Sequence, residues 1–181
     1  HEIESPDFHL DVYWIKPNVD RNFSILMTNG VSSTPLETPN IKFTKYIELC
    51  MLLPSDWDLT DDNWKKPENF WPLDLLKTVG RYPSKTNTWL GFGHSMPTGI
   101  PIIGTKFTAI VLIKSKTLSD DFQKIKCGRN TIEIYTLYPL YLEELNFKIK
   151  NGIDALLELY DKEDISDIIN IKRKNVCKNI E

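Results

Sequence analysis

The sequence is poor in the residues that staple small secreted domains, ligate metals or cross membranes. Its three cysteines, Cys50, Cys127 and Cys177, are far apart, odd in number and free of any CxxC spacing. Neither a disulfide framework nor a zinc-ribbon ligand set is written into such a chain, and reduced thiols in a cytoplasmic protein are expected. No apolar run approaches the roughly 18 residues that a membrane helix needs. No basic-then-apolar leader stands at the front. The chain opens on His1 rather than Met, which points to a natural start upstream. Histidine occurs only three times, and the only alanines are Ala109 and Ala155. An excess of one charge is missing as well: 22 Lys and Arg face 25 Asp and Glu, for a formal net charge of −3. A dedicated nucleic-acid binder normally shows a basic face. Neither nucleic acid nor membrane is therefore an expected partner, and no cofactor is expected.

What is present is an ordinary globular mixture, 41% apolar and 26% charged over 181 residues, enough for one domain spanning residues 1–181 with its own core. Leu10, Val12 and Trp14 alternate with less apolar neighbours and predict a half-buried strand that Pro17 stops. Residues 23–28 predict its hairpin partner, with 17–20 as the loop. Residues 46–53 are too continuously apolar for an exposed edge and predict a central strand closed by Pro54. Pro72 is the expected first residue of a helix carrying Leu75, Leu76 and Val79, which Pro83 ends. Residues 88–105 hold Gly91, Gly93, Gly99 and Gly104 and read as an ordered excursion into a strand at 107–113. Another strand is expected at 131–137. Ile149, Ile153, Leu156, Leu157 and Tyr160 predict one amphipathic helix running across Gly152, with Glu144 and Lys148 paired on its outer side. A short strand at 168–171 then precedes a basic tail. Strands outnumber helices roughly three to one in this reading, and they come in runs. The expected fold is α+β, a single domain with a mixed, mostly antiparallel sheet covered by about two main helices.

Motifs that would carry catalysis stop short of completion. His9 and Asp11 share one strand face, but zinc needs further ligands at matching spacing and none follows. Gly93-His94-Ser95 resembles the start of a nucleophile elbow, yet Pro97 stands where the second glycine belongs, and sequence neighbours do not put an imidazole on a hydroxyl. Gly104-Thr105-Lys106 lacks the earlier glycine and the residue order of a phosphate loop. The stretch at 56–62 is more informative. Asp56, Asp58, Asp61 and Asp62 stand together with no cation before Lys65, with Trp57 among them and Trp64 just after. Clustered carboxylates steer onto basic partners, and tryptophans anchor interfaces. The plainer reading is a solvated loop whose aspartates cap the next helix. An EF-hand fails for want of its glycine and terminal glutamate. Lys172-Arg173-Lys174, with Lys178, reads as a solvated end, and Trp71 and Trp89 as core anchors.

Several segments follow one another in a telling order: His1-Glu2-Ile3, His9-Leu10-Asp11-Val12, Thr28-Asn29-Gly30-Val31-Ser32, and Tyr46-Ile47-Glu48-Leu49 with Leu52-Leu53-Pro54-Ser55-Asp56-Trp57. Trp71-Pro72 follows, then Thr88-Trp89-Leu90-Gly91-Phe92-Gly93-His94-Ser95-Met96-Pro97-Thr98-Gly99, Tyr138-Pro139-Leu140-Tyr141 and Gly152. The series resembles the suppressor of fused domain family over nearly the whole chain. Val31, Ser95 and Thr98 depart from the family pattern but keep the turn residues Gly30, Gly93, Pro97 and Gly99. Ser32, Trp89 and His94 complete the motif positions that the resemblance marks.

The resemblance implies a binding protein rather than an enzyme. Animal members sequester transcription factors and carry a further C-terminal domain. Stand-alone bacterial members look like immunity proteins of polymorphic toxin systems, and the short, Lys-rich chain fits that type. The expectation is a cytoplasmic antitoxin that neutralises a cognate toxin domain, often a nuclease, by direct binding. In it Asp56, Asp58, Asp61 and Asp62 steer, while Trp57 and Trp64 anchor. A signalling adaptor that holds a regulatory peptide, by strand addition at a sheet edge, is the alternative. A small hydrolase using His94 and Ser95 comes third.

Overall fold

The computed structural model describes residues 9–60 and 62–180; His1, Glu2, Ile3 and Asp61 among the residues named above lie outside them. The strands β1 (Asp11–Ile15) and β2 (Phe23–Asn29) form the expected hairpin, in register from Asp11↔Asn29 to Ile15↔Ile25. Beside β2 lies β3 (Tyr46–Pro54), buried along nearly its whole length. An unbroken apolar run is what a strand covered on both faces requires. The other neighbour of β3 is β7 (Asn130–Leu140), and these two run parallel; the remaining strand pairs among the described residues are antiparallel. With β4 (Ser95–Pro97), β5 (Ala109–Ile113) and β6 (Lys124–Cys127), one sheet forms in the order β1-β2-β3-β7-β5-β4, and β6 pairs with β7 alone.

Helix α1 (Pro67–Thr86) covers one face of the sheet. The other face lies under α3 (Leu142–Asn151), α4 (Ile153–Lys162) and the returning chain, with a single turn, α2 (Asp120–Gln123), between β5 and β6. The two-residue period of β7 divides the core. Tyr135 and Leu137 join Leu26, Leu49, Leu76 and Val79 beneath α1, while Tyr138 and Leu140 join Val111, Leu145, Leu156 and Tyr160 on the far side. This is the expected α+β fold with a mixed, mostly antiparallel sheet and two helical covers. Helix and strand are nevertheless equal at 27% each, not strand-dominated.

The differences have local causes. The helix α1 begins at Pro67, five residues before the expected Pro72, because a proline at the first helical position loses no bond it would have made. It also runs one turn past Pro83 and ends where Asn87 turns left-handed at φ 51 and returns its N–H to the Pro83 carbonyl. The single helix expected across Gly152 is two helices: Gly152 sits at φ 91 and ψ 167 and breaks them. The short strand expected at 168–171 is reduced to one bridge, in which Ile169 donates to the Leu52 carbonyl at 2.8 Å.

Two charged residues also changed place. Glu144 does not face solvent with Lys148; it is fully buried. Arg173, expected in a solvated tail, reaches it there. Arg173 Nη1 and Nη2 donate to Glu144 Oε1 and Oε2, both at 2.6 Å. The guanidinium lies 4.9–5.3 Å from the ring centroids of Phe107, Tyr138, Tyr141 and Tyr160. Glu144 accepts further bonds from the Tyr160 hydroxyl (3.0 Å) and the Tyr141 N–H (3.1 Å). A buried charge pair survives only when its remaining lone pairs and faces are filled in this way. The pocket thereby ties the C-terminal chain to the sheet.

Candidate functional site

The acidic loop folds onto itself before it meets solvent. Asp58 accepts from the Thr60 hydroxyl (2.6 Å), the Thr60 N–H (3.0 Å) and the Asn63 amide, closing an Asx turn. These donors, the Thr60 hydroxyl first, hold its carboxyl below the usual carboxylate range. Asp58 therefore caps this turn, and the cap position of α1 is Lys66. Trp57 is half-buried, with Nε1 donating to the Asn69 carbonyl (3.0 Å) and its ring edge-on to Trp71 at 5.7 Å. Asp56, Trp57 and Asp58 line a groove of about 640 Å³ with Glu68, Trp71 and the chain at 166–172. Trp64 does not share it. That ring tilts against Phe70 at 5.5 Å and lines a separate hollow with Val12 and Lys77. Asp62 is exposed and lines neither cavity.

The motif residues Gly30 and Ser32 build the fold. Glu48 on β3 accepts from the N–H groups of Gly30 and Ser32 (3.0 Å each), from Ser32 Oγ (2.7 Å) and from Thr28 Oγ1 (2.6 Å). Gly30 sits at φ 130, and a Cβ there would stand 2.1 Å from the His9 carbonyl oxygen. Gly93, at φ 79, passes close to Ile153 of α4. Trp89 is half-buried between Phe43 and His94, with ring centroids 4.5 and 4.3 Å away. Burial first, then the nearby Lys148 charge, lowers the His94 pKa below 6.5, against a smaller opposing effect of the Trp89 backbone. Lys148 donates to Ser95 Oγ at 3.1 Å, and among the described residues no hydrogen bond joins His94 to Ser95. The pair that the third reading, a small hydrolase, would use is thus separated: the serine accepts from a lysine and the imidazole packs on a tryptophan. His9 and Asp11 do meet, at 3.0 Å, and no group of three metal-ligating side chains forms among the described residues.

A second groove was not read from the sequence. Pro97 and Gly99 begin an excursion that faces α1 across an apolar cavity of about 450 Å³, lined by Trp71, Leu75, Tyr82, Met96, Ile100 and Ile103. Ile100 is 75% exposed, Ile103 53% and Tyr82 40%. Its one carboxylate is Asp74. The available signal was the run Ile100, Ile102 and Ile103 held between Gly99 and Gly104, an apolar loop where polar residues are usual. Trp71 lines both this groove and the acidic one. The next residue after Ile103, Gly104, passes Glu68 closely enough that an added Cβ would lie 3.3 Å from the Glu68 Cβ. The two grooves are neighbours, an apolar hollow with an acidic wing.

The family profile described as Suppressor of fused protein (SUFU) matches residues 6–174. The chain belongs to the suppressor of fused family. Its fold is similar to that in the Sufu–Fu complex crystal structure, at 19% identity and a TM-score of 0.64, covering 92% of this chain and 76% of that one. It is similar also to a putative SUFU homolog from Neisseria gonorrhoeae FA 1090, at 14% identity and a TM-score of 0.63, covering 94% and 80%. Drosophila Suppressor of Fused matches at 18% identity and a TM-score of 0.60, over 92% of this chain and 42% of that protein. A search of curated proteins finds no match. Members of the suppressor of fused family are binding and signalling proteins, not enzymes. No helix among the described residues is long and apolar enough to cross a membrane.

Proposed function

We propose that this chain acts by occupying a partner protein, and that it is an immunity protein which neutralises a toxin domain by stoichiometric binding. The observation that carries the binding reading is the double groove around Trp71. Tyr82, Ile100 and Ile103 stand exposed about an apolar hollow, while Asp56, Asp58 and Glu68 flank the adjoining one. An apolar centre beside a charged margin is how protein interfaces are built, and large apolar side chains grouped at a concave surface mark such a site. The carboxylates favour a basic partner surface, as nucleic-acid-degrading toxins present to their substrate. Family membership supports a protein partner in general.

The test is capture from a lysate of the source organism, identification of the retained polypeptide by mass spectrometry, and titration of its activity with the chain. One toxin-like polypeptide silenced at one equivalent is the expected result. Capture of a regulator, or of nothing, would remove the immunity role. Charge reversal at Asp56 and Glu68 should slow association, more so at low salt.

The size of the apolar groove favours a second reading, an adaptor for an extended segment. About 450 Å³ admits a few side chains, not the face of a folded domain. Strand addition at β4 contributes little to such binding, because Pro97 has no N–H to offer at that edge. An unstructured fragment of the partner binding as tightly as the whole would decide for the adaptor.

A further inference from the structure

The β6–β7 ribbon forms a corner of the sheet: Ile132 and Glu133 of β7 pair with β3 on one side and with β6 on the other. Residues 124–131 are all exposed, so the tip of the ribbon has no face on the core. Gly128, at φ 59, takes the first position of the two-residue turn between Cys127 and Asn130, where a type II′ hairpin needs a positive φ. The neighbouring strand β4 pairs only with Ala109–Val111 of β5 and does not reach β6. In a two-residue hairpin the residues flanking the turn bond each other, and alternation then turns the backbone groups of Lys124 and Lys126 outward. Among the described residues that edge is open.

Its charge is one-sided. Lys124 and Lys126 share one face of β6, Arg129 stands in the turn, and Lys114 lies behind them. The carboxylate that faces them is Glu133, which accepts from Lys114 at 3.2 Å and stands opposite Lys124 in register. Four cations against one carboxylate leave an excess of three positive charges. Asp120 and Asp121 stand in the single turn of α2 that runs directly into β6, and they border this basic face at the Lys124 end. On the opposite face of β6, Ile125 is 42% exposed.

We propose that the outer edge of β6 takes up an acidic, extended segment of a partner protein as an added strand. The segment's carboxylates meet Lys124, Lys126 and Arg129, and its alternate apolar side chains lie against Ile125. An open edge invites pairing with any strand, including a second copy of itself. The lysines repel that second copy and attract an acidic strand, so one set of charges supplies both exclusion and selection. This surface does not depend on the grooves around Trp71.

The test uses the full chain and a fluorescein-labelled peptide of eight alternating Glu and Val residues, followed by anisotropy at about 20 mM and about 500 mM salt. Three controls are a Lys-Val peptide, the acidic peptide N-methylated at alternate amides, and a single-stranded oligonucleotide. Saturable binding of the acidic peptide, with amide shifts at residues 124–129, is expected. Binding should weaken about tenfold or more in K124E/K126E, with the N-methylated peptide, and in K126P. The last removes an outward N–H and leaves the β6–β7 ladder intact. Absence of saturable binding, equal binding of the Lys-Val peptide, or indifference to both K126P and N-methylation would overturn the proposal. So would preference for the oligonucleotide, which would assign the ribbon to phosphates.

Discussion

Removing Arg173 strands the Glu144 carboxylate among four aromatic rings, out of reach of water. Arg173→Met should therefore destabilise the chain by about 3–5 kcal/mol, and Glu144→Gln added to it should cost much less than the sum of the single changes. Urea unfolding of the two single variants and the double variant measures this; a loss under about 1 kcal/mol for Arg173→Met would mean that water enters the pocket. Among the glycines, Gly30→Ala drives a Cβ into the His9 carbonyl and should cost more than Gly99→Ala. At Gly99, φ 78 is the one obstacle, with no atom within 4 Å of the added Cβ, and the cost is about 1 kcal/mol. Thermal midpoints of the two variants rank them. His94 titrates below the ordinary imidazole range, so near pH 6.5 the unfolded chain binds more protons than the folded one. That contribution to stability is present above pH 6.5 and is lost as the pH falls toward the folded midpoint. His94→Gln should flatten this part of the pH–stability curve. In Lys148→Met the imidazole midpoint, followed by NMR, should move up; an unchanged midpoint would leave burial as the sole cause.

At the scale of elements, Gly152 offers a test whose sign decides between two architectures. If residues 149–160 formed one helix, as their apolar spacing alone suggests, Gly152→Ala would stabilise it by about 1 kcal/mol. With Gly152 at φ 91 and ψ 167 between α3 and α4, a region nearly closed to other residues, the same change should destabilise by about 1–3 kcal/mol. Chemical denaturation of that single variant distinguishes the two. The case shows what the sequence made legible and where it stopped. The strands β1, β2, β3 and β7 were readable because a period of two, or an unbroken apolar run, is set by burial along the strand itself. The strand β6 was not, since its four residues are all exposed and carry no apolar rhythm, and β4 has only three residues. The register of α3 against α4 is invisible to periodicity because a backbone break leaves the apolar spacing on both sides intact. Arg173 read as one of a run of tail charges, for its pocket comes from Phe107 before β5, Tyr138 and Tyr141 around the end of β7, and Tyr160 in α4. The acidic residues were found, but their division between a groove and a separate surface depended on Asp58 folding back on Thr60 and Asn63. The apolar groove beside them needed α1 to lie opposite Ile100 and Ile103.

For the whole molecule, charge is segregated along the sheet. The parallel register of β3 and β7 aligns Tyr46 with Ile132, so the end of β3 that leads into Asp56 lies away from the end of β7 that carries the basic ribbon. One end of the sheet is thereby acidic with an apolar hollow beside it, and the other is basic with an open strand edge. A partner that uses the acidic end should respond to two substitutions in different ways. Asp56→Lys alters a charge at the margin and should lower the association rate, with an effect that fades as salt rises. Ile103→Asp places a charge at the apolar centre and should raise the dissociation rate at every salt concentration. Both side chains are exposed, so the stability of the free chain should change by less than about 0.5 kcal/mol in each variant. Surface plasmon resonance of the captured partner against the two variants, at low and high salt, separates steering from gripping. If Asp56→Lys raised the dissociation rate alone, the carboxylate would belong to the buried centre of the interface and the acidic groove would be a gripping site. If Ile103→Asp left both rates unchanged, the apolar groove would lie outside the interface, and binding would rest on the acidic wing or on the β6 edge.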